Sequence, residues 1–341
     1  MKISAETLYL RMRLGDEQAI RILKDAGFDC IDYSMDHMVS PDSPLNQLNY
    51  REYARNLRNL ADEIGITFNQ AHAPFEFDWS KPGMVDDVAI PTIIRCLEVA
   101  SILGVENVVV HPLHYKNYIH NMEEVWQDNI RFYRQLIPYA HQYNVKIALE
   151  NLFQFNRHGH VVHDVCSDPG RYIRAMEQLN DPCIVACVDV GHAFLVGDEP
   201  GDLIRALGHD RVKALHIHDN SGMIDTHTLP YLGSIDWDDV TKALAEIAYD
   251  GVFTFEAFLF YKNFDDAFLP ETAKFIAQMG RYLTKRIESY NHFFHREIED
   301  TITQKEADFL EDMICLHLRE QFDNQPIIQM AVSDWIANGI K

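Results

Sequence analysis

Six short apolar runs of this chain end in histidine, aspartate or glutamate, residue types that bind metals and transfer protons. The residues at these ends are His72, His111, Glu150, Asp189, His216 and Glu256. Glu256 lies in the run FTFEAF, and a charged side chain between phenylalanines is rarely buried without a partner. If the three carboxylates meet in a partly dry site, either their pKa values rise or a cation neutralises them. The accompanying imidazoles favour the cation, and mixed imidazole and carboxylate ligands suit Mn²⁺, Zn²⁺, Co²⁺ or Fe²⁺ better than Ca²⁺.

These residues can meet only if the runs are parallel strands whose C-terminal ends share one face. The eight strand candidates are KISAETL, CIDYSM, ITFNQAHAP, NVVVHPL, KIALENL, IVACVDVGH, VKALHIHD and GVFTFEAF. Amphipathic helical stretches separate them, for example residues 16–28, 50–65, 87–104 and 123–143. Eight strand–helix units in roughly 285 residues predict an α/β fold of the (β/α)8 TIM-barrel type. An open doubly wound sheet is the alternative, but neither GxGxxG nor GxxxxGK[ST] occurs.

The chain continues beyond the eight-fold pattern. We predict a barrel domain over residues 1–290 and a C-terminal helical extension over residues 291–341. Within the extension, TITQKEADFLEDMICLHLREQF is typical of one helix, with Thr303 and Glu306 placed as a capping box. The extension could pack on the barrel or on a second subunit, so the sequence leaves open whether the protein forms a homo-oligomer.

Charge and composition narrow the choice of partners. The chain has 30 Lys and Arg against 52 Asp and Glu, a formal charge of −22, which disfavours nucleic acid. No stretch approaches the roughly 20 apolar residues needed to span a bilayer, and the N-terminus has no apolar segment of signal-peptide length. The six cysteines form no CxxC pair and are interpreted as core residues of a reducing compartment. We therefore expect a cytoplasmic protein without membrane partners.

The motifs at the strand ends resemble those of the xylose-isomerase-like barrel superfamily over residues 1–288. The most specific stretch is ALHIHDNSGMIDTHTLPYLGSIDW from Ala214, and the others are QAHAPF, VVVHPL, ALENLF, CVDVGHAF and FTFEAF. This superfamily contains sugar phosphate isomerases and epimerases and the apurinic endonucleases. Resemblance to the epimerases implies one metal held by Glu150, Asp189, His216 and Glu256. Resemblance to the three-zinc endonucleases implies additional metal or substrate ligands at His72, His111, His192, Asp225 and His227.

Three functions follow from this resemblance. The first is a metal-dependent isomerase or epimerase of a small sugar or sugar phosphate, with a metal-stabilised enediolate and Glu150 and Glu256 as the catalytic proton-transferring pair. The second is a hydrolase or lyase with a multinuclear zinc-type site, and the third is a sugar-binding protein without turnover. The acidic loops argue against the endonuclease, and Arg157 is the best single candidate for contacting a phosphate.

Overall fold

A computed structural model describes residues 1–116 and 118–295 and shows a barrel of parallel strands. In chain order the strands are β1 (Ile3–Glu6), β2 (Cys30–Ser34), β3 (Thr67–His72), β4 (Asn107–Val110), β5 (Lys146–Glu150), β6 (Phe153–Phe155), β7 (Val161–His163), β8 (Ile184–Asp189), β9 (Val212–His216) and β10 (Phe253–Phe255). All but β6 and β7 join one sheet of eight strands, in the order β10-β1-β2-β3-β4-β5-β8-β9. The ring is closed just beyond β9, where the amide of Ile217 donates to the carbonyl of Thr254 over 2.9 Å. The predicted TIM barrel is thus confirmed.

Helices cover the outside of this sheet. They are α1 (Leu8–Leu14), α2 (Asp16–Ala26), α3 (Tyr50–Ile64), α4 (Ile90–Leu103), α5 (Tyr118–Tyr143), α6 (Pro169–Leu179), α7 (Val190–Leu195), α8 (Pro200–Arg211), α9 (Trp237–Glu246) and α10 (Leu269–Phe294). The four helices predicted by example correspond to α2, α3, α4 and α5. In α3 the apolar stripe faces the sheet, and the helix ends at Gly65, whose φ of 75° is easily reached by glycine.

The inside of the barrel is filled by small side chains beneath the strand ends. Val109, Ala148, Val185, Cys187 and Ala214 form a buried apolar cluster separate from the main core. Because side chains alternate along a strand, Ala148, Cys187 and Ala214 share a face with the residues two positions later. Those residues are Glu150, Asp189 and His216. The small residues therefore form a floor below the predicted site.

Two features lie outside the predicted pattern. The loop after β5 contains a short antiparallel hairpin of β6 and β7, which was not predicted. Helix α10 runs to Phe294, past the predicted domain boundary at residue 290, and residues 296–341 of the predicted extension lie outside the described residues. Over the described residues, the helices are too short or too polar to cross a bilayer.

Candidate metal centre

Four predicted ligands meet where β5, β8, β9 and β10 end. One ligand atom each from Glu150, Asp189, His216 and Glu256 lies within 4.8 Å of the others. His216 is central, because its Nδ1 lies 3.4 Å from Glu150 Oε1, 3.7 Å from Asp189 Oδ2 and 3.4 Å from Glu256 Oε2. All four side chains are buried. The structure thus gathers three carboxylates around one imidazole nitrogen.

The unpartnered atoms of this group fit a divalent cation. Both carboxylate oxygens of Glu150, Oε2 of Glu256 and both ring nitrogens of His216 are buried without a hydrogen-bond partner among the described residues. Buried polar atoms are normally satisfied, and an unpaired buried charge is costly. Oxygen and imidazole donors in this combination are ligands for Mn²⁺, Zn²⁺, Co²⁺ or Fe²⁺.

A second group of donors adjoins the first and shares Glu150 with it. His111 Nε2 lies 3.0 Å from Glu150 Oε2, and His72 Nε2 lies 3.5 Å from the same oxygen. The two Nε2 atoms are 3.1 Å apart. His72 Nδ1 lies 2.8 Å from the carbonyl of Ala73, which can only accept, so this nitrogen carries a hydrogen and Nε2 is the atom that faces His111 and Glu150. Glu150 therefore presents one oxygen to each group.

A third group forms where β8 and β9 meet the loop before α9. It contains one ligand atom each of His192, His218, Asp225 and His227. Asp225 Oδ2 lies 2.8 Å from His227 Nε2 and 3.5 Å from His192 Nε2. The other ring nitrogens are fixed by backbone carbonyls, since His192 Nδ1 lies 3.0 Å from Asn151 O and His227 Nδ1 lies 2.9 Å from Glu256 O. These contacts aim both Nε2 atoms at Asp225.

His218 is a member of this third group that the sequence prediction missed. Its ring is fully buried, stacks on His227 with centroids 3.9 Å apart, and places Nε2 3.0 Å from both oxygens of Asp189. The signal was present, because His218 follows His216 by two residues on the same strand face. The ring fits only because residue 191 is glycine, where a Cβ would lie 2.0 Å from His218 Cε1.

The two glutamates proposed for proton transfer have opposite electrostatic surroundings. Burial raises the pKa of Glu150, but His111 and His216 outweigh it and lower that pKa well below its ordinary range. Burial and the neighbouring carboxylates, Glu6 first, raise the pKa of Glu256 well above its ordinary range. Pairs of acids whose pKa values are driven apart are typical of catalytic sites.

A cavity of about 820 Å³ opens above these groups. Seven predicted site residues line it: His72, His111, Glu150, His192, Asp225, His227 and Glu256. Phenylalanines 75, 153, 155 and 258 supply apolar walls. No arginine of the described chain lines the cavity, and Arg157, the candidate phosphate contact, is exposed outside it. The volume suits a small organic molecule.

All nine residues predicted from the sequence therefore lie in one connected cluster. Asp32 and Glu6 were not predicted but adjoin it. Asp32 Oδ2 lies 3.7 Å from His216 Nε2 and accepts a 2.8 Å hydrogen bond from Gln70 Nε2. The sequence did offer a signal for them, since each is an acidic residue within the predicted run of β1 or β2.

Comparison with known proteins agrees with this architecture. Among curated proteins, an uncharacterised protein of Sinorhizobium fredii is 26% identical over 272 residues, covering 71% of this chain and 81% of its own. The fructoselysine 3-epimerase of Escherichia coli O157:H7 is 20% identical over 258 residues, covering 74% of this chain and 88% of its own.

Solved structures share the fold at low identity. A D-tagatose 3-epimerase-like protein superposes with a TM-score of 0.66 at 22% identity, covering 86% of this chain and 99% of its own. The IolI protein with a zinc atom superposes with a TM-score of 0.64 at 20% identity, covering 85% of this chain and 99% of its own. A family model described as xylose isomerase-like TIM barrel matches residues 20–279. The chain belongs to the xylose isomerase-like TIM barrel family.

Proposed function

We propose that this protein is a metal-dependent isomerase or epimerase of a small sugar, with Glu150 and Glu256 as its proton-transferring pair. The observation that carries the proposal is the approach of both carboxylates to one nitrogen, His216 Nδ1, at 3.4 Å each, while both glutamates also line the cavity. Similarity to a fructoselysine 3-epimerase and to a D-tagatose 3-epimerase-like protein supports this reaction class. Glu150, Asp189, His216 and Glu256 would hold the metal.

The reaction is a proton transfer at a carbon beside a carbonyl group. Glu150 or Glu256 accepts the proton from that carbon, and the other glutamate returns a proton to it, on the opposite face for an epimerase. A divalent cation bound by the four ligands would supply positive charge to the oxygens on which negative charge develops. Phe75 and Phe153 line the cavity and would help to keep water from the reacting carbon.

Solvent-proton exchange tests the proposal. The metal-loaded protein is incubated with a panel of ketoses in D₂O, and deuterium at the carbon beside the carbonyl is followed by NMR. We expect exchange with the wild type and a loss of at least about 100-fold in Glu150→Gln and Glu256→Gln, since general acid–base groups contribute about 10²–10⁴-fold. Glu106→Gln, a surface variant with the same charge change, should keep wild-type exchange. Full activity in either site variant would contradict the assignment.

The second candidate is a hydrolase or lyase with a multinuclear zinc-type centre. It is favoured by the three adjoining donor groups, which offer ligands for more than one metal ion. It predicts that each chain binds two or three metal ions and hydrolyses an activated ester. In His111→Ala or Asp225→Asn, both the number of bound metal ions and the rate of hydrolysis should fall. The charge of −22 and a cavity without arginine among its described lining residues disfavour a nucleic-acid substrate. Binding of one metal ion per chain, together with deuterium exchange at the carbon beside the carbonyl of a ketose, would favour the epimerase over the hydrolase.

A further inference from the structure

The cavity above the metal centre is larger than the sugar that the proposed reaction requires. Its volume is about 820 Å³. A hexose has about 12 non-hydrogen atoms, which fill about 360 Å³ even at the ~30 Å³ that each water molecule occupies in the liquid. The reacting part of the sugar would lie against the metal-donor groups at the inner end of the cavity. More than half of the volume therefore remains for a second part of the substrate.

Phenylalanines mark the passage from the inner end of the cavity to its mouth. Phe75 stacks on His111 with ring centroids 4.2 Å apart, and Phe153 meets His192 edge-on with centroids 5.1 Å apart. Phe155 lies one step further from the donor groups, because its ring contacts Phe153 edge-on at 5.5 Å. It lines the cavity and is 58% exposed. Phe155 is therefore an apolar side chain at the mouth with one face free for a ligand.

Apolar side chains also line the opposite side of the mouth. Leu8 and Met12 of α1 line the cavity, and Met12 is 66% exposed. Helix α1 follows β1, whereas Phe155 belongs to the hairpin that follows β5. These two strands are four places apart in the ring of eight, so the segments that follow them lie on opposite sides of the barrel mouth. We call the space lined by Leu8, Met12 and Phe155 the outer cavity, and exposed apolar surface of this kind is typical of a ligand-binding groove.

Four polar side chains that line the cavity outside the donor groups already have partners within the chain. The Gln154 amide accepts a 2.9 Å hydrogen bond from the first backbone N–H of α5 and donates one of 2.8 Å to the carbonyl of Lys116. The Tyr115 hydroxyl and the Lys116 ammonium each contact an acidic side chain of α5. Asp36 accepts a 2.8 Å hydrogen bond from Ser34. Each group would have to share or exchange a bond to contact the hydroxyls of a second sugar, whereas an apolar substituent requires no such exchange.

We propose that the substrate is a sugar that carries an apolar substituent, aliphatic or aromatic, and that this substituent lies between Phe155 and Met12 in the outer cavity. This inference rests on the proposed sugar isomerase or epimerase function and adds the substrate class. The bound substituent removes apolar surface of both side chains from water, and a free ketose leaves that surface exposed. Phe155 and Met12 are therefore specificity residues that distinguish substituted from unsubstituted sugars.

The test measures binding of four ketoses to the metal-loaded protein by calorimetry. The probes are D-fructose, its 1-O-benzyl and 6-O-benzyl ethers, and 6-O-glucosyl-D-fructose. We expect at least one benzyl ether to bind about 10–100-fold more tightly than D-fructose, the range for burial of a few apolar carbon atoms. The ether that gains affinity identifies which end of the sugar points to the outer cavity. The glucosyl derivative has a substituent rich in hydroxyls and should bind no more tightly than D-fructose.

A double variant and a matched control locate the effect. Phe155→Ala combined with Met12→Ala should reduce the preference for the benzyl ether to about 3-fold or less, because most of the apolar surface in contact with the substituent is gone. Phe275 of α10 is 49% exposed and does not line the cavity, so Phe275→Ala should keep the full preference. Melting temperature and metal content establish that each variant is folded and loaded.

Several results would overturn the proposal. They are equal binding of D-fructose and both benzyl ethers, a preference that survives in the double variant, tighter binding of the glucosyl derivative than of either ether, and no binding of any probe. Deuterium exchange measured in parallel separates this inference from the proposed function. Exchange without a preference for a benzyl ether removes only the outer cavity as a substituent site. A preference that depends on Phe155 and Met12, without exchange, removes only the proposed activity.

Discussion

Replacing Glu150 by glutamine should weaken metal binding in two donor groups and spare the third. Glu150 Oε2 lies 3.0 Å from His111 Nε2, and Oε1 lies 3.4 Å from His216 Nδ1, so the carboxylate serves both groups. A glutamine offers one carbonyl oxygen and an amide nitrogen that cannot bind a metal. Loss of an outer partner of a metal ligand already costs 10–100-fold in affinity. Loss of the ligand itself should cost at least ~100-fold, about 2.8 kcal/mol at 1.4 kcal/mol per tenfold change.

The assay is a calorimetric titration with zinc, followed by plasma mass spectrometry of protein dialysed against buffered metal. Asp225→Asn is the matched variant, because Asp225 belongs to the third group alone. It should lose metal from that group and keep the affinity of the groups that contain Glu150. Wild-type affinity and stoichiometry in Glu150→Gln would refute the role of Glu150 as a shared ligand.

Three other perturbations have defined outcomes. Chelation should lower the melting temperature, because a metal at 100 times its Kd contributes about 2.7 kcal/mol of stability; an unchanged melting curve would count against a resident metal. Gly191→Ala should displace the His218 ring, whose Cε1 would lie 2.0 Å from the new Cβ, and should reduce metal bound by the third group, as measured by titration. Burial raises the pKa of Asp164 to about 7, so this acid stabilises the fold fully below about pH 4, and that stability is lost as the pH rises to about 7. Relative to the wild type, Asp164→Asn should therefore gain about 1.4 kcal/mol in unfolding free energy per pH unit across that window. Chemical denaturation of both proteins at pH 5 and pH 8 measures this gain. The same difference in unfolding free energy between variant and wild type at both pH values would contradict the prediction.

The barrel was predictable because its signals are local. Each strand candidate is a short apolar run, and each helix candidate has an apolar stripe, so the alternation and the fold class follow without knowledge of contacts. The hairpin of β6 and β7 was not predictable in this way. Its strands have three residues each and are half-buried or exposed, which leaves no strong alternation to read.

The site was predictable to the extent that strand ends converge in a barrel. Glu150 and His216 were recognisable because each ends an apolar strand, and barrel closure places those ends together. Glu6 and Asp32 ended or interrupted shorter runs and carried no family motif, so their place in the cluster became evident only from the strand register. The division into three donor groups depends on side-chain orientations and backbone contacts, such as that between His227 and the Glu256 carbonyl, which no sequence pattern specifies.

The most direct test of the central proposal is an anomalous-difference map from crystals of the metal-loaded protein. The proposal predicts a peak enclosed by the side chains of Glu150, Asp189, His216 and Glu256, with any further peaks at the adjoining histidine groups. A map without a peak among those four residues, from crystals in which the metal is bound elsewhere or not at all, would contradict it.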